Sequence, residues 1–88
     1  MEKDKLLIEI DKASAYIENV INSENKSDLR DLTFDLDRVR LRVINGSLRN
    51  NPLRGFPRKY AEMYNDYLHP ITDVLSNIEK YVDLYLTR

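Results

Sequence analysis

Between Arg38 and Lys59 the chain carries seven basic residues, Arg38, Arg40, Arg42, Arg49, Arg54, Arg58 and Lys59, and not one acid. Elsewhere seven basic residues stand against fifteen acidic ones, so a formal net charge of −1 hides a positive middle between two negative flanks. Guanidinium and ammonium groups hold anions by charge and by N–H donation, which makes this stretch the place where a carboxylate or phosphate would dock. Part of the charge can be matched locally. Asp35 stands three residues before Arg38 and Asp37 three before Arg40, and such helical pairs contribute about 0.2–0.5 kcal/mol each. Arg42, Arg49, Arg54, Arg58 and Lys59 have no acid three or four residues upstream. Arg58 and Lys59 also open a predicted helix, where the dipole disfavours cations and free backbone N–H groups favour anions. Together with Tyr60 and Tyr64, which adjoin them, these five residues are the candidate binding site. The competing expectation is that acids of the flanking helices neutralise them.

Other chemistry is poorly supplied. Cysteine is absent, and His69 is the sole histidine, without a second histidine at helical spacing. No metal or cofactor site is therefore expected, and His69 has no identifiable nucleophile to activate. Six tyrosines are many for so short a chain, and five of them lie after residue 59. At helical spacing such rows pack at the edge of a core, with the hydroxyl reaching water. Tyr67 and Tyr81 are assigned that role, and Tyr60 and Tyr64 are left open to recognition. The stretch Pro70-Ile71-Thr72-Asp73-Val74-Leu75-Ser76-Asn77-Ile78-Glu79 resembles the part of the dimerisation helix of sensor histidine kinases that follows the phosphorylated histidine. In that family the histidine lies several residues before the proline, where this chain has Asn65. The resemblance covers only 70–79, lacks the reacting group and assigns no family.

Three periodicities would position these groups. Leu6, Ile10, Ala13, Ile17 and Val20 alternate steps of four and three, which places them on one face of a helix over 4–22. Ser27 is a good N-cap for a second helix over 27–46, with the stripe Leu29, Leu32, Leu36, Val39 and Val43. The alternation Val39-Arg40-Leu41-Arg42-Val43 followed by Asn45-Gly46 also reads as a strand and hairpin turn. The unbroken stripe favours the helix, as does the order of acids first and arginines second, with Gly46 as its C-cap. A loop over 47–56 follows, and its Leu48, Leu53 and Phe56 are expected to fold back onto the core. Pro57 suits the first turn of a third helix over 57–86. There Tyr60, Tyr64, Tyr67, Ile71, Val74, Ile78, Tyr81 and Tyr85 keep phase through Pro70, and Met63, Leu75, Val82 and Leu86 form a second stripe. Unbroken phase, with His69 a poor cap, predicts one long helix kinked at Pro70.

The expected fold is thus all-α, an antiparallel three-helix bundle with a long third helix, in a single domain of 88 residues. Without an export signal or a span of roughly 20 apolar residues, the expected location is the cytoplasm. The favoured function is a non-enzymatic protein-interaction module, a regulator, adaptor or inhibitor acting through the basic loop or the exposed stripe of the third helix. A homodimer through Val74, Leu75, Val82 and Leu86 would cover that stripe. The alternative is nucleic-acid or other polyanion binding through Arg38–Lys59, against which the acidic flanks weigh. Third comes a small helical enzyme that holds an anionic metabolite with Arg42, Arg49, Arg54 and Arg58.

Overall fold

The computed structural model describes residues 1–66 and 68–87. Four α-helices pack together, and no strand occurs among the described residues. Helix α1 spans Lys3–Glu24, α2 Arg30–Asn45, α3 Phe56–Tyr64 and α4 Ile71–Leu86. A 3-10 turn, Ser27–Leu29, leads into α2.

The four-three stripe of the first segment is its buried face: Leu6, Ile10, Ala13, Ile17 and Val20, widened by Ile21. Asn25 then ends α1 in the left-handed region at φ 55°. Entry into α2 differs from expectation. Ser27 makes no cap bond; the 3-10 turn closes instead through the Leu29 N–H, which donates to the Lys26 carbonyl at 3.1 Å. The alternating stretch 39–43 is helical, and Gly46 ends α2 with φ 69°. Its N–H donates to the Val43 carbonyl and that of Ser47 to the Arg42 carbonyl, the paired bonds of a Schellman cap.

α1 runs antiparallel to α2. Arg40 reaches Asp11 near one end, and Arg30 reaches Glu18 near the other. α1 also runs antiparallel to α4, since the Met1 ammonium donates to the Leu84 carbonyl while Glu24 meets His69. α3 lies against α4. Burial of Leu6, Ile10, Ile17, Leu29, Leu32, Leu36, Leu53, Ile71 and Leu75 to about 1% exposure or less makes one core between the helices. Each such side chain contributes about 1.5–3 kcal/mol. Leu48, Leu53 and Phe56 do fold back into it from the connection.

The single kinked third helix is not found. α3 stops at Tyr64, Asn65 turns left-handed at φ 52°, and α4 begins at Ile71. Tyr67, assigned to the third stripe, lies outside the described residues. The physical reason is that the connection spends six residues, close to two helical turns, so the apolar phase survives a chain reversal. His69 also serves as a cap after all: its Nδ1 accepts the Ile71 N–H at 3.0 Å, and its carbonyl accepts the Thr72 hydroxyl and N–H.

α4 is rotated relative to the predicted primary stripe. Leu75 and Val82 are wholly covered, whereas Val74, Tyr81 and Leu86 are half-buried at the edge of the core. The apolar excess of this helix is used largely against α1 and α3 within one chain. Of the four residues expected to pair two copies, Leu75 and Val82 are not on the surface.

Candidate functional site

The basic segment is organised by one buried side chain. Asn51 donates from Nδ2 to the Glu79 carbonyl at 2.9 Å and to Asp83 Oδ1 at 3.0 Å, while its Oδ1 accepts the Leu53 N–H at 2.9 Å. These bonds hold the loop against α4 and bring the acids of that helix to the basic residues. Arg54 lies 3.5 Å from Asp83, and the N–H of Gly55, the N-cap of α3, donates to Glu79 Oε2 at 3.1 Å. The positive end of α3 therefore faces a carboxylate of its own chain.

The remaining cations diverge. Lys59 pairs with Asp35 of α2 at 2.7 Å, and Arg58 pairs along its own helix with Glu62 at 3.4 Å. Arg49 donates to the Gly46 carbonyl at 3.3 Å. Arg42 has no carboxylate partner among the described residues; it shares a shallow hollow of about 200 Å³ with Arg38, Asp35, Val39 and Pro52. Three of the five candidate cations thus meet an acid of the same chain, and the five do not converge on one point. Such exposed pairs contribute little to stability, about 0–1 kcal/mol, but they lower the positive field an external anion would feel.

Tyr60 and Tyr64 belong to a different place. Tyr60 is fully buried, so its ring offers no recognition surface. Its hydroxyl accepts from Lys26 Nζ at 2.8 Å, and the same ammonium lies 5.3 Å from the Tyr60 ring centre and 4.9 Å from that of Tyr64. The His69 ring lies 5.6 Å from that of Tyr60, tilted by 56°, and His69 holds Glu24 at 2.8 Å through Nε2. The hydrogen bond to Tyr60 raises the Lys26 pKa, and the one from His69 holds the Glu24 carboxyl below the usual carboxylate range. Burial pushes the Tyr64 phenol up. The cluster ties the end of α1 to α3 and to the start of α4. Because the Ile71 N–H occupies Nδ1 and Glu24 occupies Nε2, neither imidazole nitrogen is left to act on a substrate.

No family model, curated protein or solved structure matches the chain. The remaining candidate is a groove of about 240 Å³ between α1 and α4. Ala13 and Ile78, both nearly covered, form its floor; half-buried Tyr16, Val74 and Tyr81 form its walls; Glu9, Lys12 and Asn77 stand at its rim. Glu9 and Lys12 approach each other to 3.6 Å. Sequence reasoning placed Tyr81 at the core edge and did not single out Tyr16, which lies on the polar side of its stripe by one residue. A signal was present: Ala13 is the small member of an otherwise large-residue stripe, and a small residue between two tyrosines leaves room. Among the described residues no group of three histidine, aspartate or glutamate side chains is placed to hold a metal.

Proposed function

We propose that the chain is a non-enzymatic interaction module that seats a leucine- or phenylalanine-sized side chain of a protein partner in the α1–α4 groove. The observation that carries this reading is the groove itself: an apolar floor between two tyrosines, with charge confined to its rim. That is the composition of a protein-contact anchor site, where tyrosine provides a large ring at low entropic cost and a polar edge excludes water. Its volume is below the roughly 300–1,000 Å³ of small-molecule sites, and its lining offers no convergent polar groups to orient a metabolite. An apolar side chain carried on a partner's helix or extended segment fits better. The pairing of Arg54, Arg58 and Lys59 with Asp83, Glu62 and Asp35 weighs against a polyanion as the principal ligand.

The test is selection of binding peptides from a random displayed library against the whole chain, followed by mapping of the selected peptides by NMR. Peptides with an apolar anchor that shift the Tyr16, Val74 and Tyr81 signals are expected, and Val74→Glu should weaken them at least tenfold while the chain stays folded, with a modest drop in melting temperature because Val74 packs against the edge of the core. Binders that map only to Arg42, Arg49, Arg54 and Arg58, or that ignore Val74→Glu, would remove the reading.

A further inference from the structure

The outer face of α2 carries two of the most exposed large apolar side chains of the molecule, Phe34 at 57% and Leu41 at 59%. They are seven residues apart and so lie in line along the helix, opposite the buried stripe Leu32, Leu36, Val39 and Val43. Between them stand Asp37 and Arg38, both exposed, and neither forms an ion pair with any described residue. Hydrophobic groups at seven-residue spacing, separated by unpartnered charges of opposite sign, leave a seam to be covered.

The order of residues says what covers it. Read outward from the midpoint between positions 37 and 38, the central eight residues of α2, 34–41, are a charge-inverted palindrome: Asp37 mirrors Arg38, Leu36 mirrors Val39, Asp35 mirrors Arg40 and Phe34 mirrors Leu41. Leu36 and Val39 face the chain's own core and Asp35 and Arg40 are held by Lys59 and Asp11, which leaves Phe34, Asp37, Arg38 and Leu41 to meet another molecule. In an antiparallel pair of α2 helices related by a two-fold axis at that midpoint, each residue faces its mirror position on the other copy. Phe34 then packs on Leu41 of the second copy twice over, and Asp37 meets Arg38 twice over. A parallel pair would set like charges together. An arrangement in which one patch is its own complement is what an isologous interface requires.

We propose that the chain forms a two-fold homodimer through antiparallel α2 helices, with Phe34–Leu41 layers flanking reciprocal Asp37–Arg38 pairs. This goes beyond the groove reading and shares no residue with it. The helix half surrounding the axis is short, so the contact is small and the dimer belongs to the weak, reversible class. The macrodipoles of the two helices oppose each other in this arrangement, which removes a penalty that a parallel pair would carry.

The test uses the full chain in sedimentation equilibrium from about 10 μM to about 1 mM, with Asp37→Arg and Arg38→Asp as exposed variants whose melting temperatures report any loss of fold. Wild type should associate reversibly, and each variant alone should lose at least tenfold in affinity through repulsion across the axis. An equimolar mixture of the two variants should associate again as a heterodimer, as should the double variant with itself. A wild-type chain that stays monomeric throughout, single variants that associate as well as wild type, or a mixture that does not recover would each overturn the proposal. Concentration-dependent NMR shifts at Tyr16 and Tyr81 in place of residues 30–45 would overturn it as well, assigning self-association to the groove.

Discussion

Asn51 spends its amide on three partners in a place where little water reaches, and it is one of two polar residues buried among the described ones. Replacing it with alanine orphans the Leu53 N–H and releases the loop from α4, so Asn51→Ala should cost about 1–3 kcal/mol in denaturant unfolding. Asn51→Asp keeps the shape and the Leu53 bond but sets a carboxylate where Nδ2 donates to Asp83. It should be at least as destabilising at pH 7 and recover part of the loss in acid, where the introduced carboxyl, pushed up by the carboxylate beside it, takes the proton that restores a donor. Unfolding curves for both variants at neutral and acid pH check the sign. None of this was readable beforehand, because Asn50-Asn51-Pro52 has the composition of any turn and only the arrival of α4 makes the second asparagine a hub. The same holds for two of the cations, since Asp83 and Asp35 reach Arg54 and Lys59 from 29 and 24 residues away, whereas the acid that meets Arg58, Glu62, stands four residues downstream and was legible in the spacing.

At the scale of elements, periodicity identified the apolar residues of the buried faces of α1 and α2, since a stripe at 3.6-residue spacing has one solution when the helix is continuous, and missed the polar Thr33 beside the α2 stripe. It was blind to the break between α3 and α4. Tyr64 and Ile71 are seven residues apart, the same interval whether the backbone between them is two helical turns or a reversal. The distinguishing signal was local: Asn65, a residue that tolerates the left-handed region, four residues ahead of His69-Pro70. A left-handed residue with a β-carbon costs roughly 1–2 kcal/mol unless its side chain compensates, as asparagine's does. Asn65→Ala is therefore expected to destabilise by about 1 kcal/mol, while Asn65→Gly should be neutral within a few tenths. If 57–86 were one helix the order would reverse, alanine stabilising and glycine costing about 1 kcal/mol, so the two thermal melts decide between the architectures directly.

For the whole molecule, the consequential feature is that elements distant in sequence are joined at one end through groups that titrate. Glu24 closes α1, Lys26 precedes the turn into α2, Tyr60 and Tyr64 belong to α3, and His69 starts α4. The Glu24 carboxyl is held below its ordinary value of 4.5, chiefly by His69. A depressed carboxyl contributes stability that is complete above that ordinary value and is lost as pH falls through the folded one. The Lys26 ammonium is raised above 10.5 by the Tyr60 hydroxyl, so its contribution is complete below that pH and disappears as pH climbs past the folded value. The buried Tyr64 phenol is raised above 10.0, and the unfolded chain, which gives up that proton first, gains on the fold from there upward. Thermal stability should therefore show an acid limb below pH 4.5 and an alkaline limb above pH 10 with the same structural origin. Glu24→Gln should lower the melting temperature near neutrality yet flatten the acid limb, and Lys26→Met should lower it as well and remove the Lys26 share of the alkaline limb, leaving the share set by the buried Tyr64 phenol. In each variant the opposite limb should shrink but survive, because Glu24 and Lys26 pair with each other at 3.4 Å while the largest influence on each is a different group, His69 for Glu24 and Tyr60 for Lys26. Loss of both limbs in either single variant would mean that this end of the bundle opens as one unit before the rest, and amide hydrogen exchange at Tyr64 and Ile71 would then outpace that at Leu36 and Leu75.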